Sequence, residues 1–124
     1  MIAEEYANGS TEQRVDLLRM AERALLGCLL IGAPIPDRLS SSDFASDEHR
    51  VVFEAISELE AEREAVDSLT VGYRIIDTGR LKRIHSMSSV SALLDALRGL
   101  GSVDSVDSYA RIVRDEAKRR RLKL

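Results

Sequence analysis

The fold is decided by Ala21-Glu22-Arg23-Ala24-Leu25-Leu26-Gly27-Cys28-Leu29-Leu30, read together with Asp47-Glu48-His49-Arg50-Val51-Val52-Phe53-Glu54-Ala55-Ile56-Ser57-Glu58-Leu59. In both stretches apolar residues recur three and four positions apart with charges between them. That is the period of an α-helix buried along one side. Leu18, Ala21, Leu25 and Leu29 make one stripe; Val52, Ile56 and Leu59, with Phe53 beside them, make the other. Neither stretch holds a catalytic constellation. Both read as packing surfaces of a small helical domain, which points to assembly and docking rather than chemistry.

Outward from these stretches, the punctuation residues divide the rest. Residues 1–10 read as a flexible start with a turn at Asn8-Gly9-Ser10, and Ser10 or Thr11 as the cap of the first helix. Gly32 ends that helix near Ile31, and Pro34 and Pro36 forbid its continuation. Gly27 costs about 1 kcal/mol against alanine inside a helix. Its expected reason is the close approach of another helix, with alanine tolerated if there is a little room. A connector over 33–46 has a turn at Ile35–Leu39 and a second at Ser40–Phe44 that tucks Phe44 inward. Ser46 is expected to cap the second helix, whose tail, Glu58 to Glu64, reads as a solvated acidic stretch. Asp67 caps a third helix with the face Leu69, Tyr73 and Ile76, ending at Thr78-Gly79. Ser88 or Ser89 starts a fourth with Val90, Leu93, Leu94 and Leu97. Gly99 to Ser102 breaks it, and Asp104 or Ser105 caps a fifth with Tyr109, Ile112, Val113 and Ala117. A short loop between two helices predicts an antiparallel hairpin. No segment shows sustained period-2 alternation. The expected fold class is therefore all-α: a helical bundle head over 11–86, then a helical hairpin over 87–124 leading to a linker, one domain in all.

Composition agrees with this. A chain of 124 residues suits one domain, and 44% hydrophobic residues exclude global disorder. With two Phe, three Tyr and no Trp, the core must be aliphatic. A single cysteine, Cys28, excludes an internal disulfide and reads as a buried, inert thiol. The first 20 residues lack the apolar region of a signal peptide, and no apolar run could span a bilayer, so a cytoplasmic location is expected. No glycine-rich phosphate loop is present, because Gly99-Leu100-Gly101 lacks the third glycine, the lysine and the preceding strand. His49, His85 and Cys28 do not stand at metal-ligand spacing, and His49 reads as a surface or helix-packing histidine. No catalytic residue, cofactor or metal is assigned.

Two surfaces remain. Leu93, Leu97, Tyr109, Ile112 and Val113 form an apolar face larger than two helices can bury against each other, which predicts self-association. The net charge is −3, but residues 111–124 hold seven basic residues against two acidic ones, a net of +5 that leaves −8 elsewhere. Arg111, Arg114, Lys118, Arg119, Arg120 and Arg121 are the possible basic contacts. A solvated helix end is the plain reading, since cations suit the negative pole. Binding to nucleic acid is expected to be weak or indirect, because no aromatic residues for base stacking are interleaved.

The ordered phrases resemble the N-terminal domain of DnaB-type replicative DNA helicases. Ala21-Glu22, Leu25-Leu26-Gly27 and Leu29-Leu30 resemble its opening helix, and Asp43-Phe44 the short turn before the next. His49-Arg50, Phe53, Ala55-Ile56 and Leu59 match that next helix. Val66-Asp67, Leu69-Thr70-Val71, Gly79 and Leu81 match the following segment, and Tyr109-Ala110, Ile112-Val113 and the arginines near 119–121 the last helix. The family's Gly-Gly before the hairpin is replaced by Ile84-His85-Ser86-Met87-Ser88-Ser89, and the Pro-Ser and Asn of its tip by Gly101 to Ser105. The resemblance implies an all-helical collar that is not the motor, with the ATPase in a separate downstream domain. It implies homo-oligomers, a dimer or a trimer of dimers in a hexamer, and docking of primase or a helicase loader in bacterial DNA replication. A stand-alone adaptor that binds a replicative helicase, or a small DNA-binding protein, are the alternative readings.

Overall fold

The computed structural model describes residues 2–85 and 89–122, with side chains from residue 11 onward. Five α-helices appear among them: α1 Ile2–Leu30, α2 Asp47–Ala61, α3 Ser68–Asp77, α4 Val90–Arg98 and α5 Val106–Leu122. Short 3-10 turns at Ser41–Asp43, Leu81–Arg83 and Val103–Ser105 link them, and the described residues contain no strand.

α1 is the axis. α5, α4 and α2 all pack against it, and α3 lies between α2 and α4. Leu18, Ala21, Leu25 and Leu29 are buried along α1 as their spacing requires, and Val51, Val52, Ile56 and Leu59 answer from α2. Phe44 is fully buried, its ring 5.1 Å from that of Phe53. Gly32, at φ +108°, ends α1 in a conformation that glycine adopts without strain.

Several local expectations give way. Asn8, Gly9 and Ser10 lie inside α1, so neither Ser10 nor Thr11 is a cap. A glycine costs a helix about 1 kcal/mol but does not stop one that is already nucleated. The chain enters α5 through the turn at Val103–Ser105, not at a capping Asp104 or Ser105. Ser89 Oγ accepts from Ala92 N at 3.1 Å and so caps α4; its rival Ser88, and the boundary at 86/87, lie outside the described residues. Asp67 caps α3, accepting from Thr70 N at 2.9 Å. The buried side of α3 is Val71, Gly72 and Ile75, however, while Leu69, Tyr73 and Ile76 are exposed. The sequence offers two stripes on α3, and the narrower one wins. Gly72 lies on this buried side with room to spare: a Cβ there would meet only Leu94 Cδ1, at 3.4 Å. Arg74, bonded to Glu58 and Glu62, fixes the rotation of the helix against α2.

Those bonds also correct the reading of the tail of α2. Leu59 is buried, and Glu58 and Glu62 are ion-paired rather than merely solvated. An arginine ladder runs along this edge. Arg74 reaches Glu58 and Glu62, Arg80 reaches Glu54 and Glu58, and Arg83 reaches Glu54 and Asp47.

The C-terminal pair keeps its order, α4, loop, α5, but both arms pack chiefly on α1 rather than on each other. Gly27 makes this possible. A Cβ there would overlap the carbonyl oxygen of Leu97 and stand 2.7 Å from Gly101 N. A Cβ on Gly101 would in turn overlap the Gly27 carbonyl and stand 2.7 Å from Cys28 N. Two glycines thus let two backbones touch, and alanine at Gly27 has no room. Cys28 closes the same seam: its thiol donates to Ser102 O at 2.9 Å and accepts from Ser102 N at 3.3 Å.

Candidate functional site

The self-association face expected on α4 and α5 is largely interior. Leu93, Leu97 and Val113 are buried in the common core, so they present no surface. The expectation treated α4 and α5 as a pair alone and left out α1, which covers both. Tyr109 is half-buried, and only Ile112 is well exposed, at 45%.

Ile112 and Tyr109 instead line an open groove of about 790 Å³ between α1 and α5, with Leu17 and Met20 opposite. Leu17 is 63% and Met20 60% exposed. Arg14 and Glu116 close one lip with a 2.5 Å ion pair, and Asp115 and Arg119 complete it. Sequence reasoning missed Leu17 and Met20. They flank the stripe Leu18-Ala21-Leu25 on the side turned away from the core.

A second apolar surface lies between α3 and α4. Leu69, Tyr73 and Ile76 line it with Gly72, Val90 and Leu94 around a groove of about 400 Å³. It adjoins a groove of about 530 Å³ that shares Ser68 and Leu69 and continues to Ile31 and Val66.

The basic tail is bound inward. Arg114 donates to Asp37 O at 2.8 Å and Arg120 to Asp43 O at 2.8 Å. Arg121 reaches Asp43 Oδ1 at 3.0 Å and Ser42 Oγ at 3.3 Å, and Arg119 lies 3.8 Å from Glu116. Arg111 and Lys118 line a mixed-charge cleft with Asp37, Asp107 and Asp115. Three of the six basic candidates therefore hold α5 to the connector.

Glu22 is a buried acidic residue that sequence reasoning passed over. It is fully enclosed, accepts from Ala45 N at 2.7 Å and Ser46 N at 3.4 Å, and shares a 2.7 Å hydrogen bond with His49 Nδ1. Ser46 is the N-cap of α2, yet its hydroxyl makes no cap bond; the carboxyl group from α1 stands at the positive end of the helix and holds the amide of the N-cap and the one before it. His49 is accordingly an interior helix-packing residue.

The ladder perturbs its own acids. The hydrogen bond from Arg83 holds Asp47 below the usual carboxylate range, Arg80 and then Arg74 do so for Glu58, and Arg74 for Glu62. The same bonds raise Arg74 and Arg83 above the usual range. These groups lie along one edge of the fold, partly covered at Arg80 and Glu54. Among the described residues no cluster of His, Cys, Asp and Glu could hold a metal ion, and no helix is long and apolar enough to cross a membrane.

What the geometry leaves uncovered is apolar surface in two grooves. The comparisons with known proteins give the family. The family model of the DnaB-like helicase N-terminal domain matches residues 17–115. The replicative DNA helicase DnaB of Treponema pallidum is 33% identical over 106 residues, covering 82% of this chain and 24% of its own. That of Geobacillus stearothermophilus is 31% identical over 106 residues, covering 82% of this chain and 23% of its own. This chain thus spans about a quarter of the length of these curated relatives. The crystal structure of the N-terminal domain of DnaB helicase from Mycobacterium tuberculosis superimposes with a TM-score of 0.72 at 29% identity, covering 83% of this chain and 74% of that one. Family model, relatives and structure converge, and the chain belongs to the family of DnaB-like helicase N-terminal domains.

Proposed function

We propose that this domain is a self-associating and partner-docking part of a replicative helicase, with no ATP hydrolysis or unwinding of its own. The family is known for oligomerisation within the helicase. The observation that carries the reading for this chain is the α1–α5 groove. Leu17, Met20 and Ile112 leave apolar area uncovered, and both signs of charge stand on one lip, Arg14 and Arg119 beside Asp115 and Glu116. A two-fold contact places a patch against itself, so the patch must be self-complementary, and a lip of mixed sign is. Tyr109 and Ile112 keep the role first given to them, and Leu17 and Met20 replace Leu93, Leu97 and Val113. Primase or a loader is the kind of partner the docking role implies.

The test is light scattering after size exclusion on the chain and on the pair Leu17→Glu and Ile112→Glu, both at exposed positions. A dimer or larger species that dissociates in the double variant supports the reading. A monomer at high concentration, or an assembly indifferent to both changes, defeats it.

A further inference from the structure

The shelf between α3 and α4 differs in kind from the α1–α5 groove. Leu69 and Tyr73 are 69% and 62% exposed, and Ile76 stands one turn further along. These residues fall at i, i+4 and i+7 on α3, so they form one row about 10 Å long at 1.5 Å per residue. Asp77, four residues after Tyr73, continues that row, and Asp95 lines the shelf from α4. Both carboxylates are exposed, and among the described residues neither has a hydrogen-bond or ion-pair partner.

That nakedness contrasts with the opposite side of α3. There Asp47, Glu54, Glu58 and Glu62 are all met by Arg74, Arg80 and Arg83. Those four acids are paired, and the two that border the apolar row are not. No lysine or arginine lines the shelf. Two copies meeting shelf to shelf would oppose like charges, which works against a two-fold contact here.

We infer that this shelf docks an amphipathic helix of a separate protein, apolar along the face that meets Leu69, Tyr73 and Ile76 and basic along its flank, with lysine or arginine reaching Asp77 and Asp95. The inference rests on the docking role proposed above and gives it a surface and a partner chemistry. The adjoining groove towards Ile31 and Val66 is lined by Arg98, so the basic flank is confined to the end of the shelf that holds Asp77 and Asp95. A helix laid in a groove through residues at i, i+4 and i+7 is a recurrent recognition mode, and charges at the rim choose among helices of similar apolar content.

The experiment is a nuclear magnetic resonance titration of the full chain with two synthetic amphipathic helical peptides. They share one leucine row and differ only in arginine or glutamate along the flank. The arginine peptide should shift the amides of Leu69, Tyr73, Ile76 and Leu94, and bind at least about tenfold more tightly than the glutamate peptide. Tyr73→Ser should abolish that binding without loss of fold, because the ring is exposed. Asp77→Lys with Asp95→Lys should reverse the preference, which a merely structural role for these acids would not do. Equal binding of both peptides, binding of neither, or shifts confined to the α1–α5 groove would overturn the inference. Shelf resonances that shift on dilution of the chain alone would also overturn it, since a second copy would then be the occupant. Failure here with the Leu17 and Ile112 result intact would leave self-association standing and remove only this surface.

Discussion

Gly27→Ala is the sharpest perturbation of this fold, because the groups it strikes are backbone. Its Cβ would overlap Leu97 O and stand 2.7 Å from Gly101 N and 3.0 Å from Gly101 Cα. Comfortable contact lies at about 3.5 Å, so α1 must part from the α4–α5 loop by roughly 0.8 Å to clear Gly101 N, and by more than that to clear Leu97 O. A side chain could rotate away; a carbonyl at the end of α4 cannot. Parting also lengthens the Cys28–Ser102 hydrogen bonds and loosens Leu97 against α1. Overpacking of this kind costs about 1–3 kcal/mol, and the lost contacts along the seam add to it. Alanine returns about 1 kcal/mol of helix propensity. The net expected loss is about 2 kcal/mol, or roughly 8 °C in Tm for a domain of this size. Gly101→Ala should cost a similar amount, and the double variant less than the sum, because one opening of the seam relieves both clashes. Gly72→Ala is the control: its Cβ would meet only the Leu94 side chain at 3.4 Å, so its stability should be unchanged or higher. Urea denaturation of the four variants measures all of this. A Gly27→Ala chain as stable as the parent, or strict additivity with Gly101→Ala, would refute the backbone-seam argument.

Other perturbations follow from named contacts. Glu22→Ala strands Ala45 N, Ser46 N and His49 in the interior and should cost about 3 kcal/mol or more by chemical denaturation. Asp47, Glu58 and Glu62 titrate below their ordinary values in the fold, so the stability they supply is full at neutral pH. It should fall as the pH drops below the ordinary carboxylate range through the lowered native values. Acid titrations at low and high salt should show this fall, flattened in Arg74→Gln and Arg83→Gln, and weaker at high salt because the groups are exposed. Binding of labelled single- or double-stranded DNA, followed by fluorescence anisotropy, should be weak and vanish near physiological salt; submicromolar affinity there, lost when Arg119, Arg120 and Arg121 become alanine, would favour the DNA-binding reading.

The two quoted stretches carried most of the architecture because their buried rows have helical period and no competing row. Leu25 and Leu29 on α1, and Val52 and Ile56 on α2, had one way to face inward. On α3 two rows, Leu69-Tyr73-Ile76 and Val71-Ile75, both satisfy the period, and the first has the larger side chains. Arg74 pairs with Glu58 and Glu62 at the end of α2, and an ion pair does not register in an apolar count. Gly27 was legible as a close approach because a glycine in a helix wants a reason. Its partner Gly101 was not, since a glycine in a loop needs none. The surface expected at Leu93, Leu97 and Val113 failed for a related reason. Sequence neighbours were paired with each other, while α1, more than sixty residues earlier, was already lying across them.

The basic tail shows how charge runs mislead. Read linearly, Arg111 to Arg121 is a cationic patch in search of a polyanion. In the fold, Arg114 and Arg120 donate to the carbonyls of Asp37 and Asp43, and Arg121 donates to the Asp43 carboxylate, which also accepts from Ser40 N at 2.9 Å. Carbonyl acceptors leave no trace in composition, so this use of arginine is invisible to a tally of acids and bases. The consequence reaches α2. Asp43 precedes Phe44, whose carbonyl receives Arg50 Nε at 2.8 Å, and Glu22 holds the next two amides from below. The connector is therefore pinned by α5 on one side and α1 on the other. Substitution of Arg120 should loosen the turn at Ser41–Asp43 and the entry of α2 before it disturbs α3, which shares none of these bonds. Exchange of the amides of Asp43 to Ser46 should quicken while that of Val71 and Ile75 stays unchanged; equal quickening in both would mean that α5 supports the whole core and not the connector in particular.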